Sequence, residues 1–400
     1  MKSLKTLNLS PGQKVFVRAD LDVAIENGKV SDDFRLKKIL PTIQYLLAKK
    51  AQIILAGHLG RPHGRIDSAL SLKPVADWLK QQGLAVNLLE RLLPQGVPSD
   101  KIGGDPLRII LLENLRFDIR EEQNDPQFAE ELASLADCYV NEAFAASYEE
   151  HASIVGIPKL LPIFAGLQFE KEVNTLSKVF KNPKRPLVFL VGGVKPEKAT
   201  LIPDLVKIAD TVLLAGQIAH LSSWSNLSNV IAPQDNIDNL DIGLQTLELF
   251  LSYAKKAKTI VWNGPLGKYE EQNYSKATKT IAEYLLNSNH QSLIIIGGGD
   301  TISALRKFNL LVLLDQKPNC FISTGGGAML QFLAQGTLPG ILALDQKSKI
   351  KNNAALRKTL PKWYTPLLER LSHERTHNCC QLENAQNPKR DSRMDQGFCC

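Results

Sequence analysis

No apolar run in this 400-residue chain approaches the roughly 20 residues needed to cross a bilayer. The opening MKSLKTLNLSPG carries charge without the apolar stretch of a secretory leader. These absences predict a soluble, cytoplasmic protein. Cysteine is scarce: of six in all, only Cys138 and Cys320 fall in apolar, strand-like segments, where they read as buried thiols of a reducing compartment. The other four are the adjacent pairs Cys379-Cys380 and Cys399-Cys400, with His373 and His377 nearby. Neighbouring pairs lack the C-x₂₋₄-C spacing of a zinc site, and the Asn, Gln, Ser and charges from Asn378 onward predict disorder there. Surplus charge is also missing from the body of the chain. The net charge is +7, but Gln346 to Cys400 holds 11 Lys+Arg against 5 Asp+Glu, which leaves about +1 for the rest. A nucleic-acid partner is therefore not expected. Neither G-x-x-x-x-G-K-[ST] nor G-x-G-x-x-G occurs, so the two commonest phosphate-binding loops are excluded.

What is present is alternation. Short β-branched runs alternate with helical stripes, the pattern of a parallel sheet with crossover helices. Val15 to Val17 reads as a strand, Arg35 to Lys50 as a helix with Leu36, Ile39, Leu40, Ile43, Leu46 and Leu47 on one stripe, and Ile53 to Leu55 as the next strand. Further strands are expected at 85–89, 109–112 and 138–140, with a helix over 126–135. A helix over 166–182 has no strand immediately before it, and the Asn-Pro-Lys-Arg-Pro stretch at 182–186 stops it. A second series places strands at 187–191, 211–214, 259–262, 293–296 and 320–322. The expected fold is α/β: two doubly wound parallel-sheet domains of Rossmann-like type joined by a hinge helix. The expected bounds are 1–165, a hinge at 166–182, 183–345 with its last stretch returning toward the first domain, and a basic, disordered tail over 346–400. Within that tail, 356–371 has the stripe of a short amphipathic helix.

Glycines at strand ends let backbone N–H groups approach phosphate at a helix N-terminus. The second half has several such places: Gly192-Gly193 before Lys195, Asn263-Gly264-Pro265-Leu266-Gly267, Gly297-Gly298-Gly299-Asp300-Thr301, and Ser323-Thr324-Gly325-Gly326-Gly327. Several in one sheet point to a phosphate-rich ligand. Asp300 suits a Mg²⁺ held on nucleotide phosphates; its alternative is a helix N-cap. The first half gathers Arg18, Arg35, Arg61 and Arg116 near element ends, beside Asp20, Asp22 and His58. Guanidinium forks on one rim suit a small phosphorylated acid.

These residues sit in motifs that resemble phosphoglycerate kinase, in order, over about residues 5–345. VRADLDV (17–23), SDDFRL (31–36), GHLGRP (57–62), LLENLRF (111–117) and YVNEAFAASYEEHAS (139–153) resemble the amino-domain signatures. VGGVKPEK (191–198), VWNGPLGKYE (261–270), IIIGGGDT (294–301) and ISTGGGA (322–328) resemble those of the carboxyl domain. The resemblance implies a monomeric glycolytic phosphotransferase that moves a phosphoryl group between 1,3-bisphosphoglycerate and MgADP, giving 3-phosphoglycerate and MgATP. It implies that Asp20, Asp22, Arg35, His58, Leu59, Gly60, Arg61 and Arg116 hold phosphoglycerate, with Arg35 and Lys195 catalytic. It assigns nucleotide to Lys195, Lys198, Asn263, Pro265, Glu270, Gly298, Gly299, Asp300, Thr301, Gly325 and Gly326, and metal to Asp300.

The chain also departs from the family. Tyr148-Glu149-Glu150-His151 stands where His-Arg-x-His is usual, so a substrate arginine has become Glu149. Either Glu149 points away or phosphoglycerate binding is weakened. Asp22 replaces asparagine and Glu142 replaces aspartate; Lys195-Pro196-Glu197-Lys198 is one residue short, which unsettles Lys198; Leu214-Ala215-Gly216-Gln217 replaces a glycine cluster; and Asp241-Ile242-Gly243-Leu244 lacks a proline. These changes support an alternative, a catalytically weak or inactive relative that binds nucleotide or a partner. A third reading gives the basic tail a contact with nucleic acid or an acidic surface.

Overall fold

A computed structural model describes residues 1–89, 109–221, 224, 226–288 and 291–349. The tail beyond 349, with its expected disorder, short helix and cysteine pairs, lies outside the described residues.

Two six-stranded parallel sheets form the framework. In the first half the strands are β1 (Lys14–Ala19), β2 (Gln52–Ala56), β3 (Val86–Leu89), β4 (Ile109–Leu112), β5 (Cys138–Glu142) and β6 (Ile163–Ala165), in the order β3-β4-β2-β1-β5-β6. Strands buried on both faces need near-continuous apolar runs. Val15 and Val17 of β1 pack with Leu36, Ile39 and Ile43 of the helix Phe34–Ala48, whereas Phe16 faces Phe128 and Leu132 of the helix Pro126–Ala133.

In the second half the strands are β7 (Leu187–Val191), β8 (Thr211–Leu214), β9 (Val230–Ile231), β10 (Thr259–Asn263), β11 (Leu293–Gly297) and β12 (Cys320–Ile322), ordered β9-β8-β7-β10-β11-β12. Counted from β7, this is the strand order 3-2-1-4-5-6, in which the direction of winding reverses between the first and fourth strands. Ligands of such sheets sit at the carboxyl ends of the strands flanking that reversal, here β7 and β10. In the first sheet the reversal lies between β1 and β5.

The helix Leu167–Lys181 follows the first sheet, with Gly166 and Asn182 as its caps. Contrary to expectation, a strand does precede it. β6 ends one residue before Gly166 and pairs with β5 through Tyr139, Val140 and Asn141. Its three residues follow Leu160-Leu161-Pro162 directly, so nothing polar sets them off as a separate strand. The two-residue β9 is too short to carry a pattern of its own.

Candidate active site

At the carboxyl end of β1, Arg18 is fully buried, not placed on an exposed rim. Its Nε donates to Ser153 Oγ at 2.8 Å, its Nη1 to the Ala19 carbonyl at 2.7 Å, and its Nη2 lies 2.9 Å from His58 Nδ1. Ser153 in turn donates its hydroxyl and N–H to the buried Glu121. Burial, then the charges of Arg18 and Arg116, hold His58 well below the usual histidine range. The ring is therefore neutral. With Nδ1 accepting from a guanidinium, which cannot accept, the proton resides on Nε2. Sequence reasoning groups Arg18 with the ligand-facing arginines and gives no role to Ser153 or Glu121. A charge of either sign inside an apolar run is the available signal, since such a group needs a buried partner.

Asp20 is buried and accepts from the Ala145 N–H at 2.7 Å, across the β1–β5 reversal; burial raises its carboxyl group. Asp22 Oδ1 accepts from the Gly60 N–H at 2.9 Å, and its carbonyl accepts from Arg35 Nη1 at 2.6 Å. The Arg35 Nε reaches the second half, donating to the Thr324 carbonyl at 3.1 Å. Leu59 turns its side chain into the core and gives the loop only its backbone, with its carbonyl accepting from Asn114. Arg61 is exposed.

Arg116 is 5% exposed and donates from Nη1 to the Gly60 carbonyl at 2.9 Å. Its buried Nε has no hydrogen-bond partner but lies 3.5 Å from Glu122. Glu149 does not point away: its Oε1 is 3.7 Å from Arg116 Nη2, and its Oε2 is 3.6 Å from His151 Nε2. Burial and the neighbouring arginines push His151 down to about 3, so the ring is neutral and offers Glu149 no charge.

Glu142 has a structural task. It sits at the end of β5, where it accepts from the N–H groups of Gln168 and Phe169 and from the Thr42 hydroxyl, capping the helix Leu167–Lys181. A glutamate reaches that helix end across Gly166, where an added Cβ would stand 2.0 Å from Glu142 Oε2. Farther along the same helix the fully buried Glu172 accepts from the Thr324 N–H at 2.7 Å and from the Thr324 hydroxyl at 3.0 Å.

At the β7–β10 reversal, glycines replace side chains. Gly264 has φ +98°, and a Cβ there would meet the Gly192 carbonyl oxygen at 2.0 Å. Its N–H donates to the Thr301 hydroxyl at 2.7 Å. The space carries Lys198, whose Nζ donates to the Gly192 carbonyl at 3.1 Å; burial lowers its ammonium to about 8, opposed by the charge of Asp300. The shortened lysine spacing thus still delivers Lys198 to the crevice, while Lys195 is exposed and near enough for its charge to act on Lys198.

Asn263 is fully buried and donates to the Gly326 carbonyl at 3.0 Å, while its Oδ1 has no hydrogen-bond partner and lies near the Cβ position of Gly298. Gly298, with φ +105°, is the N-cap of the helix Gly299–Lys307, so Asp300, in that helix's first turn, is not the capping residue. Pro265 is buried beside Gly192, Gly325 packs on the Phe144 ring, and Glu270 is exposed. In the altered cluster after β8, Gly216 donates to the Leu266 carbonyl at 3.1 Å, and Gln217 is exposed. A helix N-terminus and a buried lysine around one crevice supply the donors and the positive charge that an anion's oxygens need.

The family model for phosphoglycerate kinase matches residues 4–231 and 222–336. A phosphoglycerate kinase of Borrelia garinii subsp. bavariensis is 35% identical, the match covering 86% of this chain and all of that protein. One from Finegoldia magna is 34% identical over 86% of this chain and 99% of its own. Among solved structures, phosphoglycerate kinase from Coxiella burnetii has a TM-score of 0.70 and 32% identity, covering 87% of this chain and 99% of that one. The enzyme from Pyrococcus horikoshii, at 24% identity and a TM-score of 0.74 over 86% and 98%, shares the fold.

Proposed function

Since the chain belongs to the phosphoglycerate kinase family, we propose that its two sites hold the two halves of one phosphoryl transfer. The chain is a phosphotransferase with a carboxyl group as acceptor, and the reaction interconverts 1,3-bisphosphoglycerate and ADP with 3-phosphoglycerate and ATP. The proposed phosphoglycerate side is Asp20, Asp22, His58, the 59–60 backbone, Arg61 and Arg116. The proposed nucleotide side is Lys195, Lys198, Asn263, Pro265, Glu270, 298–301 and 325–326. A domain division at 1–165, 166–182 and 183–345 goes with it, as do a cytoplasmic monomer and a place in glycolysis. Among the described residues no single helix is long and apolar enough to cross a membrane.

The observation that carries this reading is Arg35. It is hydrogen-bonded to the Asp22 carbonyl beside the proposed acid site and to the Thr324 carbonyl beside the glycine loops, so its guanidinium would stand between donor and acceptor. Phosphoryl transfer needs no protein nucleophile; positioning and charge stabilisation supply the catalysis. Arg35 would steady the charge on the phosphoryl in flight, and Lys195 would meet it from the nucleotide side. His58, neutral with its proton on Nε2, would donate to an acid oxygen. Lys198 and the N–H groups at the start of Gly299–Lys307 would hold the nucleotide phosphates.

Asp300 fits a Mg²⁺ carried by those phosphates, because that ion needs only one or two carboxylates besides substrate oxygens, and Asp300 lies in the first turn of a helix capped by Gly298, close enough for its charge to act on the Lys198 ammonium. When bound, the ion would neutralise phosphate charge. The comparisons give no support to an inactive relative. Formation of ATP from 1,3-bisphosphoglycerate and MgADP, beside Arg35→Ala, tests the proposal: turnover that collapses in the variant is expected, and no turnover from folded wild-type protein would overturn it.

A further inference from the structure

Arg116 has one end left for a ligand. Its Nη1 is committed to the Gly60 carbonyl, and its Nε is buried against Glu122. Among the described residues, Nη2 is met only by Glu149, at 3.7 Å. One guanidinium thus faces two carboxylates, and neither neighbouring histidine carries charge to offset them. Arg18 and Arg61 add positive charge nearby, but the free end of Arg116 itself is contested by a carboxylate. The Glu149–Arg116 contact is longer than a hydrogen bond and the side chain is a quarter exposed, so Glu149 can leave Arg116, giving up its side-chain contacts with Tyr148 and His151 if it turns fully to solvent.

We propose that Glu149 is a specificity-determining residue: a tethered carboxylate that competes with the acid substrate's anionic group for the free end of Arg116. This rests on the acid site assigned above. Substrate binds by exchange: Glu149 swings toward solvent, the incoming oxygens take Nη2, and release reverses the swap. The result is weaker retention of 3-phosphoglycerate than an uncontested arginine would give. The nucleotide crevice is untouched, since Glu149 makes none of its contacts.

The test is Glu149→Gln, which keeps the shape and removes the charge. Calorimetry with 3-phosphoglycerate alone is expected to show affinity rising about tenfold, a step of about 1.4 kcal/mol. The KM for 3-phosphoglycerate should fall in parallel, while the KM for MgATP stays within about twofold. The gain should shrink at high salt, as screening weakens the competing pair. Glu149→Ala is expected to shift affinity the same way, which guards against the amide oxygen of the first variant masking the effect by accepting a fresh hydrogen bond from Arg116. Unchanged or weaker 3-phosphoglycerate binding in both folded variants would overturn the proposal. A purely structural role would move both KM values together. Because the binding measurement needs no turnover, a wild-type protein that failed to make ATP would sink the kinase reading and leave the affinity ratio to judge Glu149.

Discussion

Replacing Thr301 by valine removes one atom's worth of chemistry from the nucleotide crevice. The Thr301 hydroxyl is the acceptor for the buried Gly264 N–H at 2.7 Å, and Thr301 itself is fully buried. Valine fills the same volume but cannot accept, so the amide is stranded without a partner. A buried donor left unsatisfied costs about 1–3 kcal/mol. For a folded unit of this size, unfolding entropy converts that into a fall of roughly 2–4 °C in Tm. The orphaned amide lies between Asn263 and Pro265, so the loop will turn to find water and shift the crevice. We expect the KM for MgADP to rise roughly three- to tenfold, a loss of order 1 kcal/mol, with the KM for 1,3-bisphosphoglycerate little changed. Thr301→Ser, which restores the acceptor, should recover both stability and KM. Thermal melts and steady-state kinetics on the three proteins decide the matter. A valine variant as stable as wild type, with its MgADP KM intact, would show that the hydrogen bond does not hold the crevice.

Asp22→Asn keeps the Oδ1 acceptor for the Gly60 N–H and removes a negative charge 3.8 Å from Arg35; a severalfold lower KM for 3-phosphoglycerate is expected, and initial rates against that substrate report it. Gly166→Ala drives a Cβ to 2.0 Å from Glu142 Oε2; overpacking of this kind costs about 1–3 kcal/mol, to be read from chemical denaturation, and an unperturbed midpoint would contradict the contact. Burial raises the Glu142 carboxyl from 4.5 to about 7. Its stabilising contribution is then complete below about pH 4.5 and is lost as pH rises through 7. Wild type should therefore lose stability relative to Glu142→Gln between about pH 5 and 8, by about 3 kcal/mol at most; parallel stability curves would refute the shift.

The strands legible in the sequence are those long enough to show an apolar run, such as Leu187–Val191 and Ile109–Leu112. Ile163–Ala165 is not among them because it runs on from Leu160-Leu161-Pro162 with nothing polar to set it off, and its place is fixed by pairing with β5. Within the candidate site, glycines and arginines announce themselves by type and by position at strand ends. Direction is not legible. The side chains of Leu59 and Glu149 each face where tertiary packing sends them, and the apolar run around Arg18 hints at its burial without naming its partners. The carboxylates that complete the buried network, Glu121 and Glu172, lie 103 and 137 residues from Arg18 and Arg35 along the chain.

Thr324 is gripped from two directions: Glu172 takes its amide and hydroxyl, and its carbonyl takes Arg35. Mechanically this makes the residue a swivel between a stiff rod, the helix Leu167–Lys181, and a pointer, the Arg35 side chain. Were the rod to roll by a few degrees, Glu172 would pull on the swivel, the carbonyl would swing, and the guanidinium would be re-aimed. Torque on the helix would thus be read out as a change of heading at the arginine, without any ligand touching either.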